Sequence, residues 1–298
     1  MATKQNAFRD YLQFEKNYSP HTIKAYCEDL YSFEQFFKIN FDQQNFDQVN
    51  YNQIRTWIVS LIDDSMSTVS VNRKMASLKA YYRFLLKTKQ IKINPLLKHK
   101  ALKTSKIIQI PFSEKEVNAV LHQINHPIGF EETRNKLIID LLYTTGIRRA
   151  ELLGLKIINA NLSNATIKVI GKRNEERIIP VLPIIRTQFS QYLQERASLD
   201  IIVDQDYFFL TKKGVKLNES FVYRLINSYF STVSVKVKKS PHILRHTFAT
   251  HLLNNGADLN SVKELLGHSS LASTQIYTHS SLSELKNIYK DAHPRGKK

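Results

Sequence analysis

Apolar side chains recur every three to four residues along most of this chain, the spacing of helices that bury one face. Residues 6–16 fit a short helix. Ser19-Pro20 opens a longer one, with Ile23, Tyr26, Leu30, Phe33 and Phe37 on one side. A third carries Tyr51, Ile54, Trp57, Ile58 and Leu61, and a fourth spans Thr68 to Lys87 with Met75, Leu78, Tyr82 and Leu85 inward. No stretch of this first part alternates over any length, so it reads as all-α.

The second part opens at Ser113, which forms a capping box with Glu116. Helices follow over 134–143, 184–197 and 219–230. Between them, Thr166-Ile167-Lys168-Val169-Ile170 alternates and Arg177-Ile178-Ile179 returns after a turn at Gly171 to Glu175. This predicts a β-hairpin with Lys172 at its tip. A short apolar run, Tyr207 to Leu210, lies before the 219–230 helix. Ser240-Pro241 opens a further helix as N-cap and first-turn proline, with Leu244, Phe248 and Leu252 on one face and Asn255-Gly256 as its stop. A second short helix ends at Leu266-Gly267-His268, and Ser270 caps a third that carries Tyr277. Leu282, Leu285 and Ile288 then form an apolar stripe. The fold class expected is mainly α with a small β-hairpin: an all-α domain at 1–94, a basic linker at 95–111, and an α+β domain at 112–298.

Charge narrows the partners. The 298 residues carry a formal net charge of +17 with a pI near 9.7. Residues 1–105 hold 16 basic and 9 acidic side chains, and the remainder holds 27 and 17. Both parts are therefore basic, as two lobes gripping one polyanion would be. No acidic residue occurs from Lys92 to Ser113, a stretch that holds Lys92, Lys98, Lys100, Lys103 and Lys106, with Pro95 and Pro111 near its ends. This composition suits an extended segment crossing nucleic acid, and equally a solvated linker. Cys27 is the single cysteine, so no internal disulfide can form. With no signal-peptide core and no apolar run of membrane-spanning length, a soluble cytoplasmic protein is expected.

The chemistry concentrates after residue 240. His242 and Arg245 lie three apart at a helix start, where backbone N–H groups and a guanidinium together favour an anion. A tyrosine hydroxyl, with a pKa of about 10, is a poor nucleophile unless cations stabilise the phenolate. Arginines around a phosphate would do so and would also neutralise a transition state. His242 and His246 are four apart, but Arg245 stands between them where a metalloprotease helix needs a glutamate. No metal site and no cofactor are expected.

Several phrases resemble one family. H-I-L-R-H at 242–246, L-L-G-H-S-S at 265–270 and T-Q-I-Y-T-H at 274–279 look like the signature of the tyrosine site-specific recombinases. T-G-I-R-R-A-E-L at 145–152 is similar to that family's first arginine motif. Y-S-P-H-T-I-K-A-Y-C-E-D-L at 18–30 is similar to the opening of its DNA-clamping domain, and A-H-P-R-G-K-K at 292–298 to the tail of its Xer branch. The likeness extends over nearly the whole chain. It implies a two-lobed clamp: an all-α DNA-binding domain followed by a tyrosine-recombinase catalytic domain.

The resemblance implies that Tyr277 attacks a DNA phosphate to form a 3′-phosphotyrosyl link. Arg148 and Arg245 would hold the non-bridging oxygens, and Lys172 would protonate the leaving 5′-oxygen. His242 would accept the tyrosine proton or bind phosphate, and His268 would hydrogen-bond the phosphate. Glu151 would brace Arg148. Arg73 and Lys74 would meet DNA, and Arg177 would make a phosphate or a structural contact. At the hairpin tip the chain departs from the family, with Arg173 where a second glycine is common and Glu175 where a second base is. The partners implied are duplex DNA with paired half-sites, a tetramer with itself or a paralogous recombinase, and a septal DNA translocase, with no membrane. The stripe at 282–288 would dock on a neighbouring subunit, or else pack on its own domain. The implied task is resolution of chromosome dimers. The alternatives are an integrase or invertase of a mobile element, a type IB topoisomerase, and a non-catalytic binder using a helix-turn-helix within 257–277.

Overall fold

In the computed structural model the chain forms two compact units, Met1–Ile107 and Ile108–Lys298. The structure describes residues 2–41, 47, 49–105, 109–171, 175–236, 238–267 and 279–296.

The first unit is helical among its described residues: α1 (Ala2–Asp10), α2 (Pro20–Phe41), α3 (Tyr51–Asp63) and α4 (Thr68–Lys87). The expected helix at 6–16 divides, because Tyr11–Glu15 continues α1 as a π-helical turn. Asn50 caps α3 in a full capping box with Gln53, and Ser67 caps α4. The apolar faces meet around Phe33, Phe37, Trp57, Leu78, Tyr82 and Leu85, all buried.

One of this unit's buried carboxylates gathers basic side chains of α4. Asp29 is buried, and its oxygens accept both guanidinium NH groups of Arg73 at 2.9 Å, Lys74 Nζ at 3.2 Å and Ser77 Oγ at 2.7 Å. Burying a charge is tolerated only with such pairing.

The segment expected as an extended linker is folded onto this unit as far as Leu102. Leu96 is fully buried in the core. Asn72 clamps Leu102, donating from Nδ2 to its carbonyl and accepting its N–H at Oδ1, both at 2.9 Å.

The second unit is built on α6 (Gly129–Thr145), which is buried in succession from Leu137 to Thr145 and is therefore covered all round. Against it lie α5 (Glu114–Gln123), α8 (Pro183–Ala197), α9 (Glu219–Ser231) and α10 (Pro241–Asn254). The helix expected at 134–143 thus begins a turn earlier. The hairpin is present as β2 (Thr166–Ile170) and β3 (Glu176–Pro180), paired antiparallel with Lys168 opposite Ile178. A two-residue strand, β1 (Ala160–Asn161), adds to β2 and was too short to show as alternation.

The last helix, α12 (His279–Ala292), packs in cis. Leu285, Tyr289 and Ala292 are buried in the second unit's core, and Tyr289 Oη donates to the Thr144 carbonyl at 2.7 Å. Beyond it His293 is fully buried and Arg295 pairs with buried Asp140. Of the two sites weighed for this stripe, its own domain is the one occupied, because Leu285 and Tyr289 find their apolar partners there. Among the described residues no helix is long and apolar enough to cross a membrane.

Candidate phosphate-binding active site

Two helix ends supply the floor of the site. Gly146 ends α6 in the left-handed conformation, with φ +59°, and Gly267 ends α11 (Leu259–Leu266) in the same way, with φ +61°. Glycine adopts this conformation without the Cβ penalty. Side-chain space demands glycine as well. A Cβ on Gly146 would stand 2.4 Å from the Phe248 ring, and one on Gly267 would stand 2.7 Å from Arg177 Cδ.

The carbonyls exposed at these ends are taken by arginines. Arg245 donates to Gly146 O at 2.6 Å and to Leu266 O at 2.7 Å. Arg148 donates to Gly267 O at 3.0 Å. Cations suit helix C-termini, where carbonyl dipoles accumulate. The Arg245 guanidinium thus ties the end of α6 to the end of α11.

Local sequence explains how each arginine arrives. Arg148 is the N-cap of α7 (Arg149–Gly154), directly after the Gly146 turn. Its backbone N–H donates to Glu151 Oε2 and its guanidinium to Glu151 Oε1, both at 2.8 Å. Arg245 lies in the second turn of α10, whose N-cap is Ser240 and whose first residue is Pro241, as the sequence predicts. His242 is exposed near the start of the same helix while Arg245, three residues on, is buried.

Arg177 joins from β3. It makes a bidentate pair with Glu151, at 2.6 Å to Oε1 and 2.8 Å to Oε2. Two guanidiniums therefore share one carboxylate, with Arg245 close by, leaving a surplus of positive charge. Burial opposes ionisation of Glu151, but the hydrogen bonds and charge of Arg177, with the donors of Arg148, outweigh it and hold its carboxyl below the ordinary value. Arg245 is brought down to about 10, first by burial and then by the charges of Arg148 and Arg177. It remains a cation at neutral pH. A partly buried surplus of positive charge calls for an anion. Arg148, with 32% of its side chain exposed, is the more open of the two expected phosphate ligands, since Arg245 is 8% exposed.

The structure thus brings Arg148, Arg245 and Glu151 together, with His242 on the same helix as Arg245. Lys172, His268 and Tyr277 lie outside the described residues. Lys172 falls in sequence between β2 and β3, and His268 directly follows Gly267. The residues expected at DNA divide. Arg73 is 51% exposed beside Asp29. Lys74 is 12% exposed, between Asp29 and the face of Trp57, 5.7 Å from the ring centre. Arg177, at 9%, faces Glu151 from inside the domain. Of the phosphate or structural contact expected of Arg177, the described residues show the structural one, to Glu151. Arg149 turns away to pair with Glu219 of α9. The supporting carbonyls of Gly146, Leu266 and Gly267 were not anticipated. Their signal is a glycine closing each helix.

The fold and this cationic seat suit a protein that acts on nucleic acid. Comparison with known proteins bears on this directly. Residues 111–284 match the phage integrase family and residues 6–89 its N-terminal SAM-like domain. Tyrosine recombinase XerC of Anoxybacillus flavithermus is 38% identical, over 97% of both chains. Tyrosine recombinase XerD of Shewanella oneidensis is 34% identical, over 98% of this chain and 96% of its own. The fold is shared with XerH site-specific recombinase bound to a palindromic difH substrate (TM-score 0.72, 22% identity, covering 95% and 83% of the two chains). The chain therefore belongs to the phage integrase family, the tyrosine recombinases that cut and rejoin DNA at specific sites.

Proposed function

We propose that this recombinase acts on a chromosomal site to resolve chromosome dimers, using Arg148, Lys172, His242, Arg245, His268 and Tyr277. The observation that carries the catalytic part is the surplus of positive charge where Arg148 and Arg177 share Glu151 beside Arg245. The full-length likeness to XerC and XerD recombinases supports the biological part over a mobile-element role.

The phenolic oxygen of Tyr277 attacks the scissile phosphorus and forms the new P–O bond. The bond to the 5′-oxygen breaks, and Lys172 gives that oxygen its proton. His242 takes the proton from Tyr277, and His268 hydrogen-bonds the phosphate as it becomes pentacoordinate. Arg148 and Arg245 hold the non-bridging oxygens, where preorganised donors act most strongly. The phosphotyrosyl link keeps the bond energy, so a partner strand's 5′-hydroxyl reseals it without a nucleotide or metal. The DNA partner is a duplex with two half-sites. On it the protein assembles with itself or with a paralogous recombinase, and a septal translocase brings the sites together.

The test is covalent trapping on nicked duplexes drawn from the replication terminus, in EDTA, on a denaturing gel. A protein–DNA band that disappears in Tyr277→Phe, with DNA binding retained, is expected. An adduct surviving in Tyr277→Phe rejects that nucleophile. Adducts only on mobile-element ends reject the chromosomal role.

A further inference from the structure

We propose that Arg177 is a positioning residue for cleavage: it takes the charge of Glu151 so that the charge of Arg148 stays available to the phosphate. This rests on the reading of Arg148 as a phosphate ligand.

Arg177 faces inward from its place on β3, where its side chain is 9% exposed. Both its terminal nitrogens are committed to Glu151, at 2.6 and 2.8 Å. Its Nε is buried with no hydrogen-bond partner among the described residues. Among the described residues the guanidinium thus keeps its hydrogen bonds for the carboxylate alone. Such unsatisfied groups are uncommon in stable interiors and point to a constraint other than stability.

Charge supplies that constraint. Glu151 also receives Arg148, through one guanidinium N–H at 2.8 Å. If Arg148 were its one cationic partner, the buried carboxylate would draw that guanidinium into a closed, neutral pair. A neutral pair has little left for a phosphate. With Arg177 present, two cations share one anion, and the surplus lies on the more open side chain, Arg148. Geometry supports the same division. Gly267 accepts from Arg148 at its carbonyl, while its missing Cβ leaves room for Arg177, which a methyl group would meet at 2.7 Å. One glycine therefore seats both arginines, each in its own role.

The experiment measures single-turnover cleavage by the full chain on two nicked duplexes. One carries the ordinary scissile phosphate. The other carries a methylphosphonate there, with one charged oxygen replaced by a methyl group. DNA binding is followed across salt concentrations. Arg177→Gln is expected to slow phosphate cleavage about tenfold or more. On methylphosphonate the loss is much smaller, because the charge that Arg148 answers is gone. The salt slope falls no further than in Arg148→Ala, since no phosphate contact beyond that of Arg148 is weakened. Glu151→Gln added to Arg177→Gln restores most of the phosphate rate by removing the competing anion.

A salt slope that falls by about one further contact when Arg177→Gln is added to Arg148→Ala would make Arg177 a DNA ligand and overturn the proposal. Equal losses on both substrates, unrelieved by the double variant, would make it a folding residue and also overturn it. Arg148→Ala is the reference. If methylphosphonate relieves Arg148→Ala but not Arg177→Gln, this proposal fails and the ligand reading stands. If neither is relieved, the ligand reading fails. Should Arg177→Gln not fold, Arg177→Lys decides by the same ratio, its single ammonium replacing a two-pronged contact.

Discussion

His251 Nε2 lies 2.9 Å from the carbonyl oxygen of Phe112, joining α10 to the start of the second unit. The Phe112 N–H donates to Thr247 Oγ1, also at 2.9 Å, and its ring stacks on Phe230. Both backbone groups of one residue are thus held by the helix that carries Arg245. The His251 ring is neutral here, because burial lowers its pKa. Its Nε2–H donates to Phe112, and its Nδ1 accepts from the Tyr143 hydroxyl at 3.0 Å. His251→Leu would strand that carbonyl and that hydroxyl in the interior. A stability loss of about 2–4 kcal/mol is expected in urea unfolding. A loss below about 0.5 kcal/mol would show that the two contacts contribute nothing net.

Acid should act first through buried histidine. His293 is fully buried among Tyr143, Phe248 and Tyr289, donates to the Tyr143 carbonyl, and accepts the Arg295 N–H at Nδ1. Burial takes its pKa down from 6.5 to about 4, with nearby His251 acting in the same direction. The unfolded chain therefore binds more protons than the folded one between those values, and stability falls as pH drops through that window. His293→Gln should flatten the pH dependence of the unfolding midpoint there. Glu116, held at about 2 against burial by hydrogen bonds from Lys236, Ser234 and Ser113, contributes a separate loss only below its ordinary 4.5.

Gly146→Ala combines a left-handed backbone with a collision at the Phe248 ring. About 3 kcal/mol of destabilisation is expected, with slower cleavage, because the displaced carbonyl holds Arg245. Gly129→Ala is the internal comparison. It too has positive φ, but nothing lies within 4 Å, so only the backbone cost of about 1 kcal/mol applies. Equal costs in thermal unfolding would show that the ring contact is readily relieved.

The two basic residues of α4 should behave differently on DNA. Arg73→Ala is expected to reduce the salt slope of half-site binding by about one phosphate contact, while Lys74→Ala leaves it unchanged. The difference in exposure beside Asp29 motivates this. A slope change at Lys74 alone would mean that Asp29 releases its lysine on DNA.

Signals carried by neighbouring residues were legible in sequence. The caps at Ser113 and Ser240, the hairpin strands and the α4 bounds follow from local propensity and spacing. The brace of Arg148 by Glu151 is likewise three residues long. The rest depends on distant pairing. Lys74 reads as a surface base until Asp29, on another helix, is placed beneath it. Arg177 reads as a free cation until Glu151 meets it from α7. No periodicity encodes those meetings, because tertiary packing sets them. The stripe of α12 was visible, but an apolar stripe does not say which surface covers it.

The arginine clasps on Gly146, Leu266 and Gly267 have a consequence for synthesis. A ribosome delivers this chain from its N-terminus, and both closing carbonyls beyond residue 260 arrive after the arginines that need them. Until then Arg148 and Arg245 have no common floor. A nascent chain long enough to fold its first unit and the α6 scaffold still has no assembled seat for a phosphate.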